Sequence, residues 1–375
     1  MKYIYQYKSW PKLSWKSDPI LPLISRARLE QGKLLSKVSQ LGFKLGQEAH
    51  IEILIEETVK TAAIEGENIS RELVRSSVMK RLGLSSTGLP MATRNVDGLV
   101  QVLLDATQSY AKPLTEARLK GWQAALFPTG YSGLTRIKVG DWRGNDPMRV
   151  VSGPINREKI HFEAPPRNNL KREIKQFLSW WKLSQDPMEG LLRAGLAHFY
   201  FVTIHPFEDG NGRIARAITD MALAQEEQLS TRYYSLSTQI MEERQNYYTV
   251  LEMCQKGTGD ITPWFEWFLE CYIRAVQKSS HLIANVLAKA EFWQQLQTME
   301  LNERQKKVIN RLLDAGKGAF KGGLTTRKYV SMAKVSRATA FREILDLVSN
   351  QILQQNPSRG RSVSYDLNWK LGIEN

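Results

Sequence analysis

Apolar residues recur at steps of three and four along most of this chain, and that period restricts it to a mainly helical fold. Ile51, Leu54, Ile55, Val59 and Ala62 form one such stripe. Ser70 can cap a helix running towards Leu82, where Gly83 stops it. Thr115, with Arg118 and Leu119, opens another that ends before Pro128. Residues 167–184, 187–204, 211–228, 239–256 and 263–297 carry the same period, separated by Asp-Pro, Gly or Thr-Pro punctuation. One segment breaks it. Val150 to Gly153 and Lys159 to Glu163 are β-prone runs around a Pro/Asn turn, closed by Pro165-Pro166, and predict a β-hairpin near 149–163.

The character changes after about residue 299. Asn302 to Ala315 and Thr325 to Met332 read as helices, and Ser336 caps a third through Phe341, Ile344, Leu345 and Val348. The run Pro357-Ser358-Arg359-Gly360-Arg361 then turns into alternating Val363, Tyr365 and Leu367. Three helices followed by a hairpin with a basic tip is the winged-helix pattern. Charge follows the same division: the chain carries +14 overall, and residues 301–375 hold 14 Lys+Arg against 6 Asp+Glu, a local excess of 14 − 6 = +8.

At 375 residues the chain exceeds one ordinary core. The expected domains are 1–110, a helical N-terminal region; 111–298, a core; and 299–375, the winged helix. No apolar run of about 18 residues exists, and the N-terminus lacks a signal-peptide stretch. Two cysteines, Cys254 and Cys271, cannot build a disulfide framework or a four-ligand zinc site. They are read as reduced, buried thiols of a cytoplasmic protein with no membrane partner.

The segment richest in chemistry runs His205-Pro206-Phe207-Glu208-Asp209-Gly210-Asn211-Gly212-Arg213-Ile214-Ala215-Arg216. Gly210 and Gly212 let the backbone approach a ligand and turn into a helix, whose free N–H groups and positive dipole end favour phosphate. Asn211 can donate hydrogen bonds, and Arg213 and Arg216 share a helix face suited to a polyphosphate. Asp209 is a hard oxygen ligand of the kind Mg²⁺ needs. His205 can take a proton near neutral pH. Turn chemistry alone would explain Asp-Gly-Asn-Gly, but not a histidine four residues before Asp209 or two arginines after the glycines.

This run resembles the signature of the Fic (filamentation induced by cAMP) family, His-x-Phe-x-[Asp/Glu]-Gly-Asn-Gly-Arg-x-x-Arg, at every defined position, and the similarity extends over roughly residues 1–297. The resemblance implies a Fic helical core with a small hairpin flap, and transfer of AMP from ATP to a Ser, Thr or Tyr hydroxyl of a target protein or of the chain itself. His205 is then the base and Asp209 the Mg²⁺ ligand. Gly210, Asn211 and Gly212 hold the phosphates, with Arg213 and Arg216 on the outer ones; Ile214 and Ala215 complete the segment. Ile160, His161, Phe162 and Glu163 resemble the flap that aligns a target strand. Tyr247 and Tyr248 resemble an aromatic pair near the adenine, with Gln255 two turns on.

Thr61-Ala62-Ala63-Ile64-Glu65-Gly66 fits [Ser/Thr]-x-x-x-Glu-[Gly/Asn], which resembles the family's inhibitory motif. At 100° per residue Glu65 shares the face of Ile51 and Ala62, whereas Glu52, Glu56 and Glu57 do not. A carboxylate turned inward needs a cation, and the resemblance implies Arg216, 151 positions away (216 − 65). His50, His198 and His281 read as structural. The leading expectation is an adenylyltransferase (AMPylator) restrained by Glu65. The alternatives are a nucleotide-sensing regulator that binds DNA through Arg337, Arg342, Arg359 and Arg361, or a Fic enzyme that removes AMP or uses another nucleotide. A homodimer is a further candidate assembly.

Overall fold

The computed structural model describes residues 2–153, 157, 159–315, 320–357 and 363–369. It divides into two compact units, 1–280 and 281–375. The first unit opens with a 3₁₀ turn, Ile4–Gln6, and five helices: α1 (Ser17–Ser39), α2 (Phe43–Ile64), α3 (Arg71–Arg81), α4 (Arg94–Gln108) and α5 (Glu116–Leu126). Two antiparallel ribbons follow. The first pairs β1 (Tyr131–Ser132) with β2 (Thr135–Arg136), and the second pairs β3 (Arg149–Ser152) with β4 (Lys159–Glu163). Then come α6 (Arg167–Leu183), α7 (Gly190–Ile204), α8 (Asn211–Glu227), α9 (Leu236–Glu242), α10 (Arg244–Gln255) and α11 (Thr262–Gln295), whose residues from 281 on belong to the second unit.

The centre of this unit is the antiparallel pair α7 and α8, joined by residues 205–210. All 15 residues of α7 are buried, mostly apolar, with the polar Arg193, His198 and Thr203 hydrogen-bonded inside. Around the pair, α2 packs on α8 and α9, and α4 packs on α5 and α8. Side-chain caps fix where helices begin: Ser70 accepts from Glu72 N–H (3.2 Å), Thr115 from Arg118 N–H (3.1 Å) and Glu189 from Leu192 N–H (2.8 Å). The expected boundary at 110 is not a break, because α2 and α4, from before it, pack directly on α8. The expected single helix 239–256 is two. Glu243 leaves helical geometry (φ −107°, ψ 21°), and its carboxylate instead accepts from Arg274 Nε and Nη2 at 2.7 and 2.8 Å.

The second unit follows the order read from sequence: α12 (Glu303–Ala315), α13 (Thr326–Ala333) and α14 (Arg337–Ser349), then β5 (Leu353–Gln355) antiparallel to β6 (Tyr365–Leu367). Leu324 bridges Tyr365 and widens the ribbon. Its own core includes Val308, Ile309, Leu312, Tyr329, Ile344 and Leu347. Thr325 and Ser336 cap α13 and α14. Arg359 and Arg361, the expected basic tip, lie outside the described residues, as does the turn between β3 and β4. Among the described residues no helix is long and apolar enough to cross a membrane. Cys254 and Cys271 are free and buried.

Candidate functional site

The loop between α7 and α8 is held from three directions. Arg143 donates its N–H to Pro206 C=O (2.9 Å), Nε to His205 C=O (2.9 Å) and Nη2 to Pro165 C=O. Glu208 accepts from the N–H groups of Lys138 (2.9 Å) and Gly144 (3.1 Å). Asn211 accepts from Phe207 N–H (3.0 Å) and donates to Phe207 C=O (2.8 Å), while the Phe207 ring is fully buried. The Asn211 side chain therefore braces the loop from within, with one of its two Nδ2 hydrogens committed to Phe207. These contacts hold His205 at φ 50°, a left-handed conformation rare outside glycine.

The same frame fixes the histidine's chemistry. Its Nδ1 faces Val202 C=O at 3.1 Å. A carbonyl only accepts, so Nδ1 carries the proton and Nε2 keeps the lone pair of a base. Burial pushes the His205 pKa below its ordinary value, assisted by Arg143 and opposed by the Val202 contact, Glu65 and Asp209. The ring is neutral at pH 7.

Beside it lies an anion cradle. Gly210 caps α8, and the N–H groups of Asn211, Gly212 and Arg213 precede its first i to i−4 bond, Ile214 to Gly210 at 3.0 Å. Arg213 and Arg216 are 4% and 2% exposed, and Arg213 Nε and Arg216 Nη1 are buried with no hydrogen-bond partner among the described residues. Such orphaned donors fit a ligand rich in acceptors.

A carboxylate already sits in the cradle. Glu65, at the end of α2, accepts from Arg216 Nη2 at 2.7 Å. Arg216 is further tied to the same helix, donating to Thr61 Oγ1 (2.6 Å) and Thr61 C=O (3.0 Å). A Cβ on Gly212 would lie 2.2 Å from Glu65 Oε1, so only glycine there lets this oxygen settle on the helix end. Burial pushes the Glu65 carboxyl upward, but Arg216, with help from Arg213 and His205, outweighs it and holds the carboxyl below its usual range.

Asp209 lies at the edge, its side chain 38% exposed. It accepts from Gly210 N–H at 2.5 Å and pairs with Ser132 on the first ribbon. Among the described residues no group of three or more His, Cys, Asp or Glu forms a metal cluster. A lone carboxylate next to a phosphate cradle fits Mg²⁺, which takes one or two carboxylates and fills the rest of its shell with phosphate oxygens and water.

The other expected site residues divide. Ile160 is 42% exposed on β4, which pairs only with β3 among the described residues and so keeps a free edge. His161 Nδ1 donates to Glu252 on α10 (2.6 Å), which ties the ribbon to that helix, and Glu163 pairs with Arg149 across the ribbon (2.7 Å). Phe162 turns inward, 1% exposed, edge-on to Tyr3 and Tyr5. Its burial removes it from any target-facing role. Ile214 and Ala215 are wholly buried and contribute backbone only. Tyr247 is 2% exposed, its hydroxyl bonded to His198 Nε2 at 2.9 Å, and Gln255 is buried against Thr203 (3.2 Å). Both are wall and core rather than open ligand contacts. Tyr248 is half-buried and donates to Ile64 C=O at 3.4 Å, next to Glu65.

Four residues escaped the sequence reading. Arg143, Glu208 and Ser132 shape the loop, and Glu67 holds Arg213 at 2.8 Å. Two had a local signal: Glu208 lies inside the 205–216 run, and Glu67 lies two positions from Glu65 and repeats its charge.

Residues 113–223 match the Fic/DOC family, and residues 3–84 match a family described as a domain of unknown function (DUF4172). A protein from Aedes aegypti named protein adenylyltransferase Fic is 26% identical over 267 residues, covering 68% of this chain and 48% of that protein. One of the same name from Nematostella vectensis is 31% identical over 114 residues, 30% of this chain and 25% of that protein. The chain thus spans less than half the length of these curated relatives. In fold it is similar to the crystal structure of a Fic family protein from Desulfovibrio desulfuricans G20, with TM-score 0.55, 18% identity and coverage of 96% of this chain and 98% of that one. It is also similar to a Fic domain containing signaling protein from Bacteroides thetaiotaomicron, with TM-score 0.52, 18% identity and coverage of 69% and 97%.

Proposed function

The chain carries a Fic/DOC-family domain, and from that premise we propose that it is a protein adenylyltransferase, moving AMP from ATP to a target protein hydroxyl and restrained by Glu65. The observation that carries this reading is the lone pair on His205 Nε2, fixed in the same rigid loop that leads into the anion cradle. The names of the relatives support it. ATP lays its phosphates on the α8 N-terminus, with Arg213 and Arg216 taking the outer oxygens once their carboxylates withdraw. A target segment adds along the free edge of β4, which brings a hydroxyl over the loop. His205 Nε2 accepts the hydroxyl proton as the oxygen bonds to the α-phosphorus. The bond from that phosphorus to the bridging oxygen breaks, and pyrophosphate leaves with both electrons. When bound, Mg²⁺ held by Asp209 would offset charge on the phosphate oxygens. The test is labelled-ATP transfer by wild type, Glu65→Gly and Glu65→Gly/His205→Ala; labelled GTP, CTP and UTP run in parallel decide the nucleotide.

The base sets the pH dependence. A lowered pKa means His205 gives up its proton more readily, so the neutral form persists below the ordinary value of 6.5. Removing Glu65 takes away a charge that raises the pKa, which moves it further down. The transfer rate of Glu65→Gly should fall on acidification with a midpoint below pH 6.5, the ordinary histidine value. A fall centred above pH 7 would contradict a buried neutral base.

The second unit supports a separate reading, binding of duplex DNA. Arg337, Ala338, Phe341, Arg342 and Leu345 are all exposed on α14, two cations flanking apolar side chains. That face suits phosphate contact with apolar contact to thymine methyls. If both arginines neutralise phosphates, affinity of the full chain should fall with salt at a log–log slope of about −2 or steeper, and Arg337→Ala/Arg342→Ala should flatten it by about 2. Binding that ignores salt, or the double substitution, would rule this surface out.

A further inference from the structure

We propose that Glu67 is a second arm of the restraint, holding Arg213 as Glu65 holds Arg216. The proposal rests on the adenylyl-transfer reading for its activity readout, but its geometry stands alone. The end of α2 folds back in a Schellman turn: Gly66 N–H bonds to Ala63 C=O and Glu67 N–H to Ala62 C=O, each at 3.0 Å. Gly66 has φ +84°, which L side chains rarely adopt. The turn places two carboxylates, two residues apart, opposite two guanidinium groups three residues apart on α8. Glu65 meets Arg216 at 2.7 Å and Glu67 meets Arg213 at 2.8 Å.

Arg213 has little else to hold it. Asp209 is 3.8 Å away, the Phe127 ring lies 4.8 Å below its guanidinium, and its Nε has no partner among the described residues. The two arms differ in exposure: the Glu67 side chain is 45% exposed and that of Glu65 is 29%. Water and salt reach Glu67 more easily. A phosphate approaching from solvent therefore displaces the outer arm before the inner one, and loss of Glu65 alone leaves Arg213 still engaged.

The experiment measures Mg·ATP affinity by calorimetry and labelled-AMP transfer for wild type, Glu67→Gln, Glu65→Gln and the double variant. A partly exposed ion pair is modest, so Glu67→Gln should raise affinity and transfer about two- to five-fold in the Glu65→Gln background. The gain should shrink towards one as salt rises from about 0.05 to 0.5 M, because screening then releases the arm without substitution. In an Arg213→Gln background Glu67→Gln should no longer change ATP affinity, which a merely structural Glu67 would not predict. Unchanged affinity in both glutamate backgrounds, or a gain that survives Arg213→Gln, overturns the proposal. If no variant transfers AMP, the reaction assigned above fails while the affinity series still decides the role of Glu67.

Discussion

Replacing Glu65 with glycine is expected to raise AMP transfer about 10- to 150-fold. The carboxylate accepts a charge-assisted hydrogen bond from Arg216 and lies on the helix end next to Gly212. A bond of that kind contributes about 1.5–3 kcal/mol, and each 1.4 kcal/mol is about a tenfold change in an equilibrium. Releasing it converts a site whose cations are occupied into one that can take the outer phosphates. Folding should survive, since Arg216 keeps both contacts to Thr61; the cost should be about 1–3 kcal/mol, read as a lower melting temperature. Glu65→Gln removes the charge and keeps the shape, so it should follow in the same direction. Acid is a poor substitute for mutation. The folded-state carboxyl lies below its ordinary 4.5, so its stabilisation is present above that value and is lost only as pH falls through the lower folded one. The restraint holds throughout the neutral range. Labelling unchanged in a folded Glu65→Gly protein would remove Glu65 from any inhibitory role.

How far the sequence disclosed this arrangement depended on the range of each interaction. The α2 stripe placed Glu65 on the inward face, and the paired arginines one turn apart declared a cationic face on α8; both follow from the helical period. Their meeting across 151 positions is a tertiary contact that no local pattern contains. The three-helix-and-ribbon order of the second unit was legible because Ser336 and Thr325 cap their helices and Val363, Tyr365 and Leu367 alternate. The first ribbon, two residues per strand, is too short for alternation to register. α4 too carries a local signal: Thr93 caps a run in which Val96, Leu99, Val100 and Leu103 recur at three and four.

Residue type also misled where burial reversed its meaning. Phe162 looks like a docking residue, yet the ribbon turns it beneath Tyr3 and Tyr5. Tyr247 looks like a stacking face, yet its hydroxyl pairs with His198 in the core. In each case the side chain secures the frame around the site. Arg143 shows the converse: nothing in its neighbours marks it, but it holds the carbonyls of His205, Pro206 and Pro165 and thereby the histidine's left-handed backbone.

Removing the base should separate transfer from binding. The hydroxyl of a Ser, Thr or Tyr is a weak nucleophile until its proton is accepted, and general-base help is worth about 10²–10⁴-fold. His205 presents Nε2 for that purpose, with Nδ1 committed to Val202. The other histidine near α8, His198, is 1% exposed and bonded through both ring nitrogens, to Thr219 and Tyr247, so it cannot take over. Glu65→Gly/His205→Ala should therefore lose about 10²-fold or more in transfer relative to Glu65→Gly. Its Mg·ATP affinity should stay within a few-fold, because the α8 amides, Arg213 and Arg216 hold the phosphates without the imidazole. Loop geometry should persist as well, since Arg143 binds backbone atoms at 205 and 206 rather than the ring. Comparable transfer by the double variant would refute the mechanism. Loss of ATP affinity together with transfer would reassign His205 to holding the cradle, and the base would have to be sought elsewhere.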